Sequence, residues 1–176
     1  MLNMLRRIAT EKKAAADLYR AIVRRSREPV FYSGLGVPDT FDGRFDLAVL
    51  HTWMVLEALR QAEMNDLAER LIQEVFAGFE YGLRDQGAGD MGIGRRIKAM
   101  TSALFGRIQS YRAAADEKAL AEALVRNLYR DAPNSEEHAL AVARYIGDAR
   151  KAVAGSALAE GAAEFGPLPH PLKATI

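Results

Sequence analysis

Between Gly36 and Leu56 the chain reads GVPDTFDGRFDLAVLHTWMVL. Three acids (Asp39, Asp42, Asp46), Arg44 and His51 crowd into it, the residue types of acid–base catalysis, metal binding or ion pairing. An EF-hand needs oxygen ligands at positions 1, 3 and 5 with Gly at 6, and this spacing does not supply them. The three histidines, His51, His138 and His170, stand in no H-E-x-x-H arrangement. There is no cysteine, which removes disulfides, thiol catalysis and zinc–thiolate sites together. Asp39 suits a turn after Pro38, and Thr40 or Asp42 suits a helix cap. His51 lies seven residues after Arg44, so on a helix the two share a face with Ala48, Val55, Ala58 and Ala62. Three roles stand open for His51: a satisfied core histidine, a contact for a partner, or a catalytic base.

A second polar island, GAGDMG (Gly87 to Gly92), matches the dinucleotide fingerprint letter for letter. That fingerprint works only between a strand and a helix. Here a helical stretch precedes it and no βαβ pattern surrounds it. The reading is a helix end at Gly87, a tight turn, and Asp90 capping the next helix. Free amides at that helix start, with Arg95 and Arg96 nearby, leave an anion as a conceivable ligand. Acid pairs such as Asp85 with Asp90, or Glu136 with Glu137, fit turn and helix-start chemistry. No nucleophile elbow, P-loop or Ser-His-Asp order occurs.

The elements that position these islands are helices. Apolar residues recur at steps of three and four through most of the chain. They predict helices at about 3–26, 43–62, 66–85, 91–115, 116–129 and 135–154. The second carries large apolar side chains nearly all round, so it is expected to be buried at the centre. Short connectors make helices two, three and four antiparallel neighbours. No stretch alternates as a strand does. The expectation is an all-α fold, a single compact domain of about six helices over 1–160. A basic N-terminal helix begins it, and a Pro-rich tail over 161–176, extended or disordered, follows it.

With 49% hydrophobic and 27% charged residues and a net charge of +1, the composition is that of an ordinary globular protein. No apolar run approaches the roughly 18 residues of a membrane span. The charge is uneven: residues 1–30 hold eight Lys/Arg and three Asp/Glu. That end reads either as a solvated amphipathic helix or as a surface for anionic lipid or RNA. Glu11 and Asp17 argue against a cleaved presequence, which is poor in acids.

The islands in order, VPDT-x-D-G-R-F-D-x-x-x-L-H, then LR-x-x-G-x-G-D, then K-x-M-x-x-x-x-x-G-R, resemble the ubiquinol–cytochrome c chaperone family over roughly residues 18–130. The resemblance implies an assembly factor of the cytochrome bc1 complex (respiratory complex III) that binds newly made cytochrome b, with no catalytic residue, metal or cofactor. The motif positions carried over, as contact or scaffold residues, are Asp39, Asp42, Arg44, Asp46 and His51, then Arg84, Gly87, Gly89 and Asp90, then Gly106 and Arg107. The little that precedes the shared region suggests a bacterial member, cytoplasmic and peripheral to the inner membrane. Its basic helix would add attraction to the ribosome or to anionic membrane, with no specific nucleic acid sequence. The other readings are a helical small-ligand or anion-binding domain, with the Asp85–Arg96 turn and the His51 face as its pocket, and a hydrolase built on Asp and His.

Overall fold

The helix expected to be apolar all round is the hub. In the computed structural model, which describes residues 2–85, 87 and 90–172, the order is α1 (Leu2–Ser26), α2 (Phe41–Gln61), α3 (Asn65–Asp85), α4 (Asp90–Ala113), α5 (Glu117–Asn127) and α6 (Glu136–Ala154). No strand occurs among the described residues. Of the 21 residues of α2, 15 are buried, and α1, α3, α4 and α6 all pack against it. Leu47, Leu50, Trp53, Met54 and Leu59 lie in one core with Leu18, Ile22, Leu71, Leu104, Leu124 and Ile146. Burying each such side chain contributes about 1.5–3 kcal/mol.

The start of α2 is decided by Thr40, which has extended backbone and accepts a hydrogen bond from Gly43 N at 3.1 Å. Asp42 falls one residue inside the helix. Removing the Thr40 hydroxyl leaves an amide of the first turn unmatched. Thr40→Ala is therefore expected to lower stability by about 1 kcal/mol, read as a shifted midpoint in urea denaturation. Gly43 has a separate reason: a Cβ there would stand 1.9 Å from the Pro38 carbonyl oxygen, so the turn can fold back only over a glycine.

Helix α3 shows the cleanest four-residue stripe, with Leu67, Leu71, Val75, Phe79 and Leu83 buried. It packs against α1, α2 and α4. The connector between α1 and α2 holds a π-helical turn, Val30–Gly34, that periodicity did not reveal. Its Phe31 is fully buried. Asp116 caps α5 by accepting from Ala119 N at 2.8 Å. Ser135 stands at the cap position of α6, but its hydroxyl donates back to Ala132 O.

Past α6 the chain turns over Leu158–Glu160 and returns across α1. Gly161 makes this possible with φ of +84°, its Cβ position only 2.7 Å from Asp17 Cβ. Ala163 and Phe165 are buried in the common core. The Arg25 guanidinium donates to the carbonyls of Phe165, Gly166 and Pro167, and Leu172 N donates to Gly34 O. The tail as far as Leu172 is thus extended and docked.

Candidate functional site: an open groove beside the polar motifs

The first and third motif islands meet inside the protein. Asp46 is fully buried on α2. Arg107 of α4 lies 2.8 Å from its Oδ1, and Arg130, after α5, lies 3.0 Å from its Oδ2. Arg130 also reaches Asp42 at 3.3 Å, and the Arg107 guanidinium stacks over Phe45. Arg130 and Asp131 both hold left-handed backbone, φ +53° and +56°, which costs about 1–2 kcal/mol per residue. Burial raises the Asp46 carboxyl to about 6 although both arginines pull the other way. Desolvation outweighs attraction here, the usual ledger for a buried ion pair.

His51 is also fully buried, so it shares no open strip with exposed Arg44. Seven-residue spacing puts both on one face of α2, but that face passes from solvent into the core within two turns. Its Nδ1 lies 2.9 Å from Leu47 O and 3.1 Å from Ser26 Oγ, and its Nε2 lies 2.9 Å from Tyr145 Oη. Arg25 Nε donates to the same Tyr145 oxygen. One neutral tautomer satisfies every group: Nδ1–H donates to Leu47 O, and Nε2 accepts from the Tyr145 hydroxyl. Phe31 and Phe165 close around the ring. Burial pushes the His51 imidazole down to about 3. Of the roles left open for His51, the geometry favours the satisfied core histidine. It cements α1, α2, α6 and the tail, and like Asp46 it meets a partner only by shaping what lies around it.

The exposed motif residues lie elsewhere. Arg44 Nε donates to Asp39 Oδ1 at 2.7 Å, and this contact holds the Asp39 carboxyl below the usual carboxylate range. Arg84, in the last turn of α3, bonds Glu80 at 3.0 Å. Gly87 has φ of +78°, which suits the helix end read for it. Gly89 lies outside the described residues. Asp90, expected to cap α4 from just outside it, is instead its first residue; its side chain lies outside the description. Gly106 is exposed with open space where a Cβ would stand.

Beside these groups runs an open slot of about 230 Å³ between α1, α2 and α3. Its apolar lining includes Val23, Phe41, Phe45, Ala48, Phe79 and Met100; Arg27, Arg44 and Asp85 supply its charge. It joins a shelf of about 560 Å³ through Arg27, Tyr32 and Arg44. Gly82 leaves room in it, and Gly78 lets the Tyr19 ring seat against α3 at its edge. A Cβ on Gly78 would collide with the Tyr19 ring, whereas one on Gly82 meets only Phe41, at 3.7 Å. Sequence reading missed Tyr19, Arg27 and Phe41 as neighbours, and Arg130 and Tyr145 as partners of the motif. The available signal was the glycine pair at i, i+4 in α3, since interior helix glycines cost roughly 1 kcal/mol each and need a packing reason.

Among the described residues no group of three or more His, Asp or Glu side chains could hold a metal, and no helix is long and apolar enough to cross a membrane. The site is thus an open groove with an apolar floor and a charged rim, on an all-helical scaffold with buried polar networks beside it. The chain belongs to the ubiquinol–cytochrome c chaperone family, whose family model matches residues 33–165. The match reaches through α6 to Phe165, beyond the end of the motif islands. A similar solved structure is the crystal structure of the Cbp3 homolog from Brucella abortus, with 31% sequence identity and a TM-score of 0.81, covering 94% of this chain and 96% of that one. No curated protein matches the chain. Family and fold together make it a chaperone for assembly of the ubiquinol–cytochrome c reductase (bc1) complex.

Proposed function

We propose that the chain holds newly made cytochrome b during assembly of the bc1 complex, without catalysing a reaction. The observation that carries this reading is the slot between α1, α2 and α3. Its floor is apolar and its rim includes the motif residues Asp39 and Arg44. An apolar groove with a polar rim is how helical proteins hold an amphipathic segment, apolar anchors giving affinity and rim groups fixing pose. In this reading the protein works at the cytoplasmic face of the inner membrane. On α1, Arg6, Lys13, Arg20 and Arg24 are exposed on one face and add a salt-sensitive attraction to anionic lipid or the ribosome.

Gly82→Trp tests the groove directly. It puts an indole into the slot from a helical position with free space, and loss of a helix-interior glycine favours α3. Cytochrome b is expected to be recovered with the tagged wild-type protein from bc1-making cells, and to fall about tenfold with Gly82→Trp at unchanged thermal stability. Equal recovery with the slot filled, or none with wild type, would sink the reading. The electrostatic part fails separately if neither phosphatidylglycerol vesicles nor ribosomes pellet the protein at low ionic strength.

A further inference from the structure

We infer that the segment seated in the groove carries a carboxylate beside a large apolar side chain, and that Arg27 is the residue that selects it. The inference rests on the groove being the client site and names the chemistry of what enters it.

Arg27 follows the last turn of α1 and lines both slot and shelf. Its side chain is exposed and forms no ion pair with any described residue. It lies within electrostatic reach of both Tyr19 and Tyr32; burial raises each phenol above its ordinary value, and the Arg27 charge pulls only partly the other way. Around it the charges do not balance. The shelf is lined by two guanidinium groups, Arg27 and Arg44, against one carboxylate, Asp39, and Asp39 is already bonded to Arg44. Glu28, its neighbour in sequence, acts on Tyr145, the partner of buried His51. The remaining acid of the slot, Asp85, belongs to the C-terminal end of α3. The Tyr32 hydroxyl is spent on Ser26 O at 2.6 Å. Where slot and shelf join, then, a planar five-donor cation stands without an acceptor.

The slot is smaller than the roughly 300–1,000 Å³ of pockets that enclose a whole small molecule, and it is open. It suits one or two side chains of a longer segment. Phe41, Phe45, Phe79 and Met100 receive the apolar side chain, and the acid next to it meets Arg27. A charge-assisted guanidinium–carboxylate pair fixes direction along the groove, which an apolar slot alone does not.

The test selects a displayed random peptide library on four immobilised baits: wild type, Arg27→Glu, Arg20→Glu and Gly82→Trp. Arg20 lies on α1 outside the groove lining, and both arginines are exposed, so the fold tolerates either change. Wild type is expected to enrich Asp or Glu next to Phe, Leu or Trp about three- to fivefold, the weight of a partly exposed ion pair. Arg27→Glu reverses the enrichment to Lys or Arg. Arg20→Glu leaves it acidic, and Gly82→Trp loses the apolar component. Enrichment without charge preference, an acidic preference that survives Arg27→Glu, an equal response to Arg20→Glu, or no enrichment over Gly82→Trp each overturns the assignment. Cytochrome b capture that is blocked by Gly82→Trp but indifferent to Arg27→Glu would overturn it while leaving the groove as client site.

Discussion

Arg107→Ala is expected to destabilise the fold by about 3 kcal/mol at neutral pH, and the loss is expected to shrink in acid. Asp46 has no solvent-exposed surface, and Arg107 supplies one of its two cationic neighbours. Removing one member of a buried ion pair leaves the other charge short of compensation, a change that typically costs about 3–5 kcal/mol. The surviving Arg130 contact puts this case at the low end. The pH dependence follows from burial, which raises the Asp46 carboxyl from 3.8 to about 6. The folded state holds this proton more tightly than the unfolded chain does. The linked stabilisation is fully present below pH 3.8 and is lost as pH rises through 6, about 3 kcal/mol in all. Without Arg107 the carboxyl rises further, so acid rescues the variant more than the wild type. Paired urea denaturation at pH 7.5 and 4.5 reads this directly. A gap between wild type and variant that did not change with pH would show that the cost is packing, chiefly the lost stack over Phe45, rather than charge.

The second large effect has the opposite sign with pH. Burial pushes His51 from 6.5 to about 3, so here the unfolded chain binds the proton first. Its contribution is present above pH 6.5 and is lost as pH falls toward 3, about 5 kcal/mol over the full span. Protonation would put a second N–H against the Tyr145 hydroxyl, which already accepts from Arg25 and has one proton to give. His51→Gln cannot titrate in this range. It should be less stable than wild type at pH 7.5 by about 2–3 kcal/mol, from a misfitted buried network. That gap should close by about 3 kcal/mol at pH 4.5. Denaturation midpoints of the two proteins across this interval provide the check, and parallel curves would mean that His51 titrates alike in the folded and unfolded chains. Because Asp46 and His51 oppose each other, wild-type stability alone will look nearly flat over the same interval, and only the variants separate the two titrations.

Much of this architecture could be read from local rules. Helix α3 needed only its four-residue stripe, because a stripe that regular has one face to bury. The cap at Asp116 was visible because its carboxylate satisfies a backbone amide three positions on. Thr40 and Asp42 were not separable, since either carboxylate or hydroxyl can cap; the observed extended backbone at Thr40 decides it. The π-helical turn at Val30–Gly34 has no periodic signature and escaped notice.

The family, too, could be recognised in the chain by itself, since its motifs are linear strings. What those motifs do was decided only in three dimensions. Asp46 meets Arg107 and Arg130 across 61 and 84 residues of chain, and His51 meets Tyr145 across 94. Nothing in local spacing encodes such pairings, because they depend on which helices pack and at what register. The same holds for the groove. Tyr19, Arg27, Phe41 and Gly82 are ordinary residues one at a time. Three helices leave a gap between them where Gly82 of α3 adds no side chain and Gly78 admits the Tyr19 ring at the edge, and a gap is a property of packing, not of any segment.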